Sequence, residues 1–277
     1  MPSRVLLQIG PVAIYWYGVL IVTGTLAAAW IATKQARQAG DDPEHVWNAL
    51  LLCLVLGVIG ARLYHVASML QHYLAHPGEI FGLQMQGFGI YGAVAGGALG
   101  LWIYTHRNSL NFLRWADFAA PGIALAQAIG RWGNFFNQEL YGFPTALPWG
   151  IYIAPENRLP GFTQYERFHP TFLYESLWNL LSFGILMFLS RKARKRLMNG
   201  DLFLLYGILY SLGRFFVEFQ RPDAYQLETW KFLGAPMAQW VAIGAILFFG
   251  SVLIYRHQRG GGAPVVAEPE ESSAEQG

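Results

Sequence analysis

Arg131, Asn134, Asn137 and Glu139 fall within nine residues of one another in the stretch Gly130–Gly142, GRWGNFFNQELYG. This polar group closes an apolar run. An arginine in or beside a membrane span costs roughly 2.5–3.5 kcal/mol on insertion scales, so it is rarely kept without a partner or a task. A second group lies further on. Tyr206, Tyr210, Arg214 and Glu218 are spaced four apart and form one helical stripe, which Arg221 continues three residues later. Arg62 is a third arginine inside an apolar run. A planar, permanently charged guanidinium binds phosphate through two parallel hydrogen bonds. At membrane depth, the phosphate donor that fits is a phospholipid headgroup.

Each group also has a plainer reading. Arg214 and Glu218 at i,i+4 could be only an ion pair that lets both live in the membrane, and Arg62 could pair with Glu139 or Glu218. The tyrosine stripe taken alone reads as packing.

The surrounding chain sets where these residues lie. Of the 277 residues, 54% are hydrophobic and 13% charged, against about 25% charged in a soluble domain. The apolar residues cluster in runs, which makes this an all-α polytopic membrane protein. Net charge is +2, too small to argue for nucleic acid. The single cysteine, Cys53, excludes an intrachain disulfide and a cysteine-based metal centre, and its apolar setting argues for packing. No cleavable signal peptide is expected, since the first apolar run is long enough to span.

Seven stretches approach the roughly 20 apolar residues a spanning helix needs: 12–33, 47–69, 87–106, 115–134, 171–190, 202–219 and 236–255. Lys34, Arg37, Arg107, Arg114, Arg191, Lys192, Arg194, Lys195, Arg196, Arg256 and Arg259 all fall on one side. By the positive-inside rule that side is cytoplasmic, with the N-terminus outside and the C-terminus inside. Tyr17, Arg62, Tyr91, Arg131, Asn134, Asn137, Arg214 and Glu218 then converge on the outer leaflet.

Residues 141–170 form a long outside segment rich in proline and aromatics, read as a small ordered cap. The membrane domain is expected over 1–257, with a disordered tail over 258–277. Gly92, Gly96 and Gly100 share one face of the third span and predict close approach of another helix. His72 and His76 have i,i+4 ligand spacing, but two histidines in a loop-like setting do not make a metal centre, and none is expected. His65 is a possible base or an interfacial histidine.

Several segments, in order, resemble the bacterial prolipoprotein diacylglyceryl transferases. Arg131, Gly133, Asn134, Phe135, Asn137, Glu139, Tyr141 and Gly142 match that family's signature. Trp16-Tyr17-Gly18, Gly60-Ala61-Arg62, Asp117 through Pro121, His169-Pro170-Thr171 with Leu173-Tyr174-Glu175, and Arg214 through Glu218 with Arg221-Pro222-Asp223 are similar to further family motifs.

The resemblance implies transfer of an sn-1,2-diacylglyceryl group from phosphatidylglycerol to the lipobox cysteine thiol of a prolipoprotein in the inner membrane. It implies release of glycerol 1-phosphate, a seven-helix bundle with a periplasmic head and arms, and no cofactor. Carried onto this chain, Arg131 and Arg214 would clamp the phosphate. Tyr17, Arg62, Asn134, Asn137, Gly142 and Tyr210 would shape the phosphatidylglycerol site. Glu139 and Glu218 would orient the arginines or take the thiol proton, and Glu218, Arg221, His169 and Asp117 would support the site.

One position departs from the pattern. Where the family often has His-Gly-Gly-Leu, this chain has Tyr91-Gly92-Ala93-Val94. A phenol has a reference pKa of about 10 and is a poor base near neutrality, so the proton acceptor stays open. The rival readings are a transporter or lipid-binding protein with an arginine-lined anion site, and an intramembrane protease. No inverted repeat is evident for the first, and no Gly-x-Ser-x-Gly or His-Glu-x-x-His constellation for the second. Oligomeric state is not legible.

Overall fold

A computed structural model describes residues 3–80, 89–193, 196–222 and 231–260. The expected tail beyond residue 260, Arg194, Lys195, Asp223 and most of the 221–235 loop lie outside the described residues. Among those described, seven helices have 18 residues or more. They are α1 (Trp16–Gln38), α2 (Glu44–Ser68), α4 (Ile90–Arg107), α5 (Phe112–Asn137), α6 (Thr171–Lys192), α7 (Asp201–Glu218) and α8 (Met237–Arg259); a short α3 (Leu70–Ala75) follows α2. Four of them, α1, α2, α6 and α8, are long and apolar enough to cross a membrane. The chain groups into two compact units, Met1–Ile31 with Ala119–Gly277, and Ala32–Phe118.

In the first unit the chain opens with a hairpin, β1 (Val5–Ile9) against β2 (Val12–Tyr15). Its two-residue turn, Gly10-Pro11, puts Gly10 at φ +57°, the sign that a tight hairpin turn needs at its first central residue. The expected first span, 12–33, is therefore corrected: residues 12–15 are strand, and the helix runs from Trp16 to Gln38. Hydropathy cannot separate a short apolar strand from the start of an apolar helix, whereas the alternating, partly β-branched Val-Ala-Ile-Tyr suits a pleated edge.

Glycines bring α1 against α5. A Cβ at Gly122 would lie 2.6 Å from the Ala28 carbonyl oxygen, and one at Gly24 would lie 3.0 Å from that of Ala126. Trp16 stacks on Phe136 at 4.6 Å between ring centroids. Helix α5 joins α6 and α7 around buried Ala124, Leu186 and Leu202. The buried Asp201 carboxylate ties the start of α7 to the end of α8, accepting from Met198 N at 2.8 Å and facing His257 Nε2 at 2.8 Å.

Residues 141–170 carry the strands β3 (Ile151–Tyr152) and β4 (Arg167–Phe168), which pair antiparallel. They have their own apolar core of Tyr141, Ile153, Phe162 and Phe168. A final two-residue pair, β5 (Lys231–Phe232) with β6 (Ala235–Pro236), precedes α8.

In the second unit, α2 and α4 pack backbone to backbone. A Cβ at Gly92 would collide with the Gly60 carbonyl, one at Gly96 with the Leu56 carbonyl, and one at Gly100 would lie 2.8 Å from Cys53 Cα. The helix expected to approach the glycine face is thus α2.

Candidate active site

The last third of α5 positions the first polar group, and α6 meets it there. Phe172, at the start of α6, packs against Phe135 and Trp132 at centroid distances of 5.0 and 5.3 Å. Ser176 Oγ donates to the Ala128 carbonyl at 2.9 Å. One turn of α6 is thereby fixed beside α5, and Glu175 reaches Arg131 Nη2 at 2.5 Å. Asn134 Oδ1 accepts from Arg131 Nη1 at 3.5 Å, while its Nδ2 donates to Glu139 Oε1 at 2.9 Å. Asn137 Nδ2 donates to the same oxygen at 3.1 Å. Glu139 therefore acts on Arg131 through Asn134.

Backbone geometry turns the chain sharply here. Gln138 and Leu140 both have positive φ, 54° and 53°. The buried Gln138 side chain locks the turn, its Oε1 accepting from Ala154 N at 2.8 Å and Asn157 Nδ2 at 3.1 Å. Strained backbone of this kind costs of order 1–3 kcal/mol per residue and clusters at functional sites.

Helix α7 brings the second group. Trp178 Nε1 donates to the Leu209 carbonyl at 2.8 Å, and Gly213 leaves room for the Trp178 ring. Arg214 pairs with the buried Glu218 at 2.6 Å. Arg214 and Tyr210 line a narrow cavity together with Glu175, Trp178 and Asn179. Glu175 thus pairs with Arg131 and also faces the cavity that holds Arg214. In the sequence Glu175 appears only inside a motif; its role as partner to Arg131 needs the α5–α6 contact.

A larger cleft of about 1130 Å³ lies in the same unit. Ile14, Tyr15, Val19, Val22, Leu140 and Leu159 make it largely apolar, and Arg4, Asn137, Gln138, Glu139 and Asn157 give it a polar side. Tyr17 lines it and packs over Gly133, where a Cβ would strike the ring. Its volume exceeds the ~300–1,000 Å³ typical of small-molecule pockets, and its two-sided lining suits an amphiphile.

Other expected site residues are placed differently. Gly142 makes a close packing contact: its N–H donates to the His169 carbonyl at 2.9 Å, and a Cβ would lie 2.6 Å from His169 Cβ and 2.9 Å from the Gln220 carbonyl. His169 Nδ1 shares a hydrogen bond with Tyr174 Oη at 3.0 Å. Arg221 donates its N–H to the Glu218 carbonyl at 3.2 Å.

Arg62, Tyr91 and Asp117 belong to the second unit. Arg62 donates to the carbonyls of Glu79 at 2.6 Å and Ile80 at 3.1 Å, and its guanidinium lies over the Tyr73 ring. Backbone carbonyls and an aromatic face are among the contacts of this buried arginine. Tyr91, on the first turn of α4, is 70% exposed beside Tyr64. Asp117 is fully buried in α5.

Comparison with known proteins decides the family. The family model for prolipoprotein diacylglyceryl transferase matches residues 4–255. The chain belongs to this family. It is 43% identical over 283 residues to the phosphatidylglycerol–prolipoprotein diacylglyceryl transferase of Chloroflexus aggregans, covering 95% of this chain and 92% of that one. The enzyme of the same name from Nostoc is 40% identical, covering 88% and 87% of the two chains. That of Synechococcus elongatus is 41% identical, covering 93% and 89%. Within the family's frame, the Arg131–Glu175 pair and the adjoining apolar cleft are the candidate transferase site.

Proposed function

We propose that this protein transfers the sn-1,2-diacylglyceryl group of phosphatidylglycerol to the lipobox cysteine of prolipoproteins. The observation that carries this reading is the hydrogen-bonded chain from Arg131 through Asn134 to Glu139, which lines the polar side of an apolar cleft large enough for an amphiphile. The cysteine sulfur attacks glycerol C3, an S–C bond forms, and the C3–O bond to phosphate breaks. Its electron pair leaves with glycerol 1-phosphate, and the thiol proton passes to a base.

Arg131 and Arg214 neutralise the charge that grows on the departing phosphate. Glu218 and Glu175 hold them. Asn134 and Asn137 orient Glu139, which lines the cleft and is the residue we assign to take the proton. Tyr17 and Tyr210 border the two cavities. Gly142, His169 and Arg221 support the site through packing and backbone hydrogen bonds. No cofactor enters this chemistry.

The finer topology belongs to the same reading. All seven long helices span the inner membrane, with the N-terminus outside and the C-terminus cytoplasmic. Residues 141–170 are the periplasmic head and the β1–β2 hairpin an arm. The charge distribution supports this orientation.

The test is direct. Purified protein is incubated with phosphatidylglycerol and a lipobox peptide, and the peptide is weighed by mass spectrometry. A diacylglyceryl mass on the cysteine, with glycerol 1-phosphate released, is the expected result. An unmodified peptide with folded enzyme would overturn the reading.

A further inference from the structure

In the second unit, α3 and the turn that follows it bring three metal-ligating side chains together. One ligand atom each from His72, His76 and Glu79 lies within 4.8 Å of the others, and all three side chains are exposed. His72 Nε2 is 2.9 Å from Glu79 Oε2. The two imidazoles stack with 5.1 Å between centroids and 28° between planes. The spacing of His72 and His76 alone did not predict a centre, because the third ligand, Glu79, is brought in by the turn Pro77–Ile80.

Two features preorganise the group. His76 Nδ1 lies 3.3 Å from the His72 carbonyl. Donation to that oxygen leaves the other ring nitrogen with its lone pair, the arrangement by which metal-bound histidines fix their tautomer. The elements that carry the ligands are held from below by Arg62. It donates to the Glu79 and Ile80 carbonyls and covers Tyr73, which is itself buried in α3.

We propose that His72, His76 and Glu79 bind a divalent transition-metal ion of the Zn²⁺ type. Two imidazoles and a carboxylate with an open position for water form a known three-ligand set for this ion. The ion replaces the His72–Glu79 hydrogen bond, displaces the proton it uses, and clamps α3 to the turn.

The experiment uses untagged, chelator-washed protein in detergent near neutral pH, titrated calorimetrically with zinc chloride. One ion per chain is expected. His76→Ala and Glu79→Gln should each weaken binding about tenfold or more, and the triple variant His72→Ala/His76→Ala/Glu79→Gln should abolish it. His106→Ala should bind as wild type does. X-ray absorption on the zinc-loaded protein should show nitrogen and oxygen ligands at about 2.0–2.2 Å. The proposal is overturned if wild type binds no zinc, if the folded triple variant binds as tightly as wild type, or if sulfur appears in the first shell, which would place the ion on Cys53.

Discussion

Arg131 and Glu175 are joined by a 2.5 Å ion pair that ties the last third of α5 to the second turn of α6. Both side chains are largely withdrawn from solvent, at 23% and 8% exposure. A hydrogen bond to a charged group contributes about 1.5–3 kcal/mol. If the pair aims Arg131 at the lipid phosphate, Glu175→Gln should lower kcat/KM by roughly 10- to 150-fold. The double variant with Arg131→Lys should lose less than the product of the two single losses, since the two residues act as a unit. Full turnover in the glutamine variant would show the pair to be only structural.

Replacing either clamp arginine by lysine keeps the charge and removes the fork. Arg131→Lys and Arg214→Lys should each lose most of the activity in detergent while keeping the wild-type circular dichroism. Near-normal turnover in both would sink the phosphate role.

Tyr91 is 70% exposed on the first turn of α4. A phenol that only hydrogen-bonds a headgroup contributes about 0.5–1.5 kcal/mol, so Tyr91→Phe should cost roughly 2- to 13-fold, and Tyr91→His should be tolerated. A loss in the 10²–10⁴-fold range typical of a general base, with a titrating limb gone from the pH–rate profile, would instead make Tyr91 the proton acceptor in place of Glu139.

Gly142 has no room for a side chain. Gly142→Ala sets a methyl against His169 and the Gln220 carbonyl, and overpacking of this kind costs about 1–3 kcal/mol. The expected outcome is a lower midpoint in a detergent thermal melt, alongside reduced activity. An unchanged melting temperature with lost activity would mean that the glycine faces substrate.

The orientation is open to labelling. In a Cys53→Ala background, a cysteine at Tyr165 should react with an impermeant maleimide in intact cells, and one at Arg191 should not. The reverse pattern would turn the whole site to the other face.

The long helices were legible because apolar runs and glycine spacing are local properties. Residues 12–15 misled, since four apolar residues look alike to hydropathy whether they pleat or coil. The polar group on α5 was legible as a cluster, and the Arg214–Glu218 pair as an i,i+4 spacing. Partnerships across long loops were not. Glu175 lies 44 positions from Arg131, and the packing of Phe172 on Phe135 and Trp132, with the Ser176–Ala128 hydrogen bond, brings them together. The carbonyls of Glu79 and Ile80 that receive Arg62 are likewise hidden from a sequence, which displays charges and not backbone acceptors. The close packing of Gly142 against His169 and the Gln220 carbonyl is also invisible in a sequence, because Gln220 lies on a distant turn.

The interlock of α2 with α4 has a bearing on how lipid moves. With Gly60 and Gly92 in direct backbone contact, and Gly96 and Gly100 continuing the seam, the two helices leave no slot between them along these residues wide enough for an acyl chain. Along that seam the pair is a sealed wall to lipid.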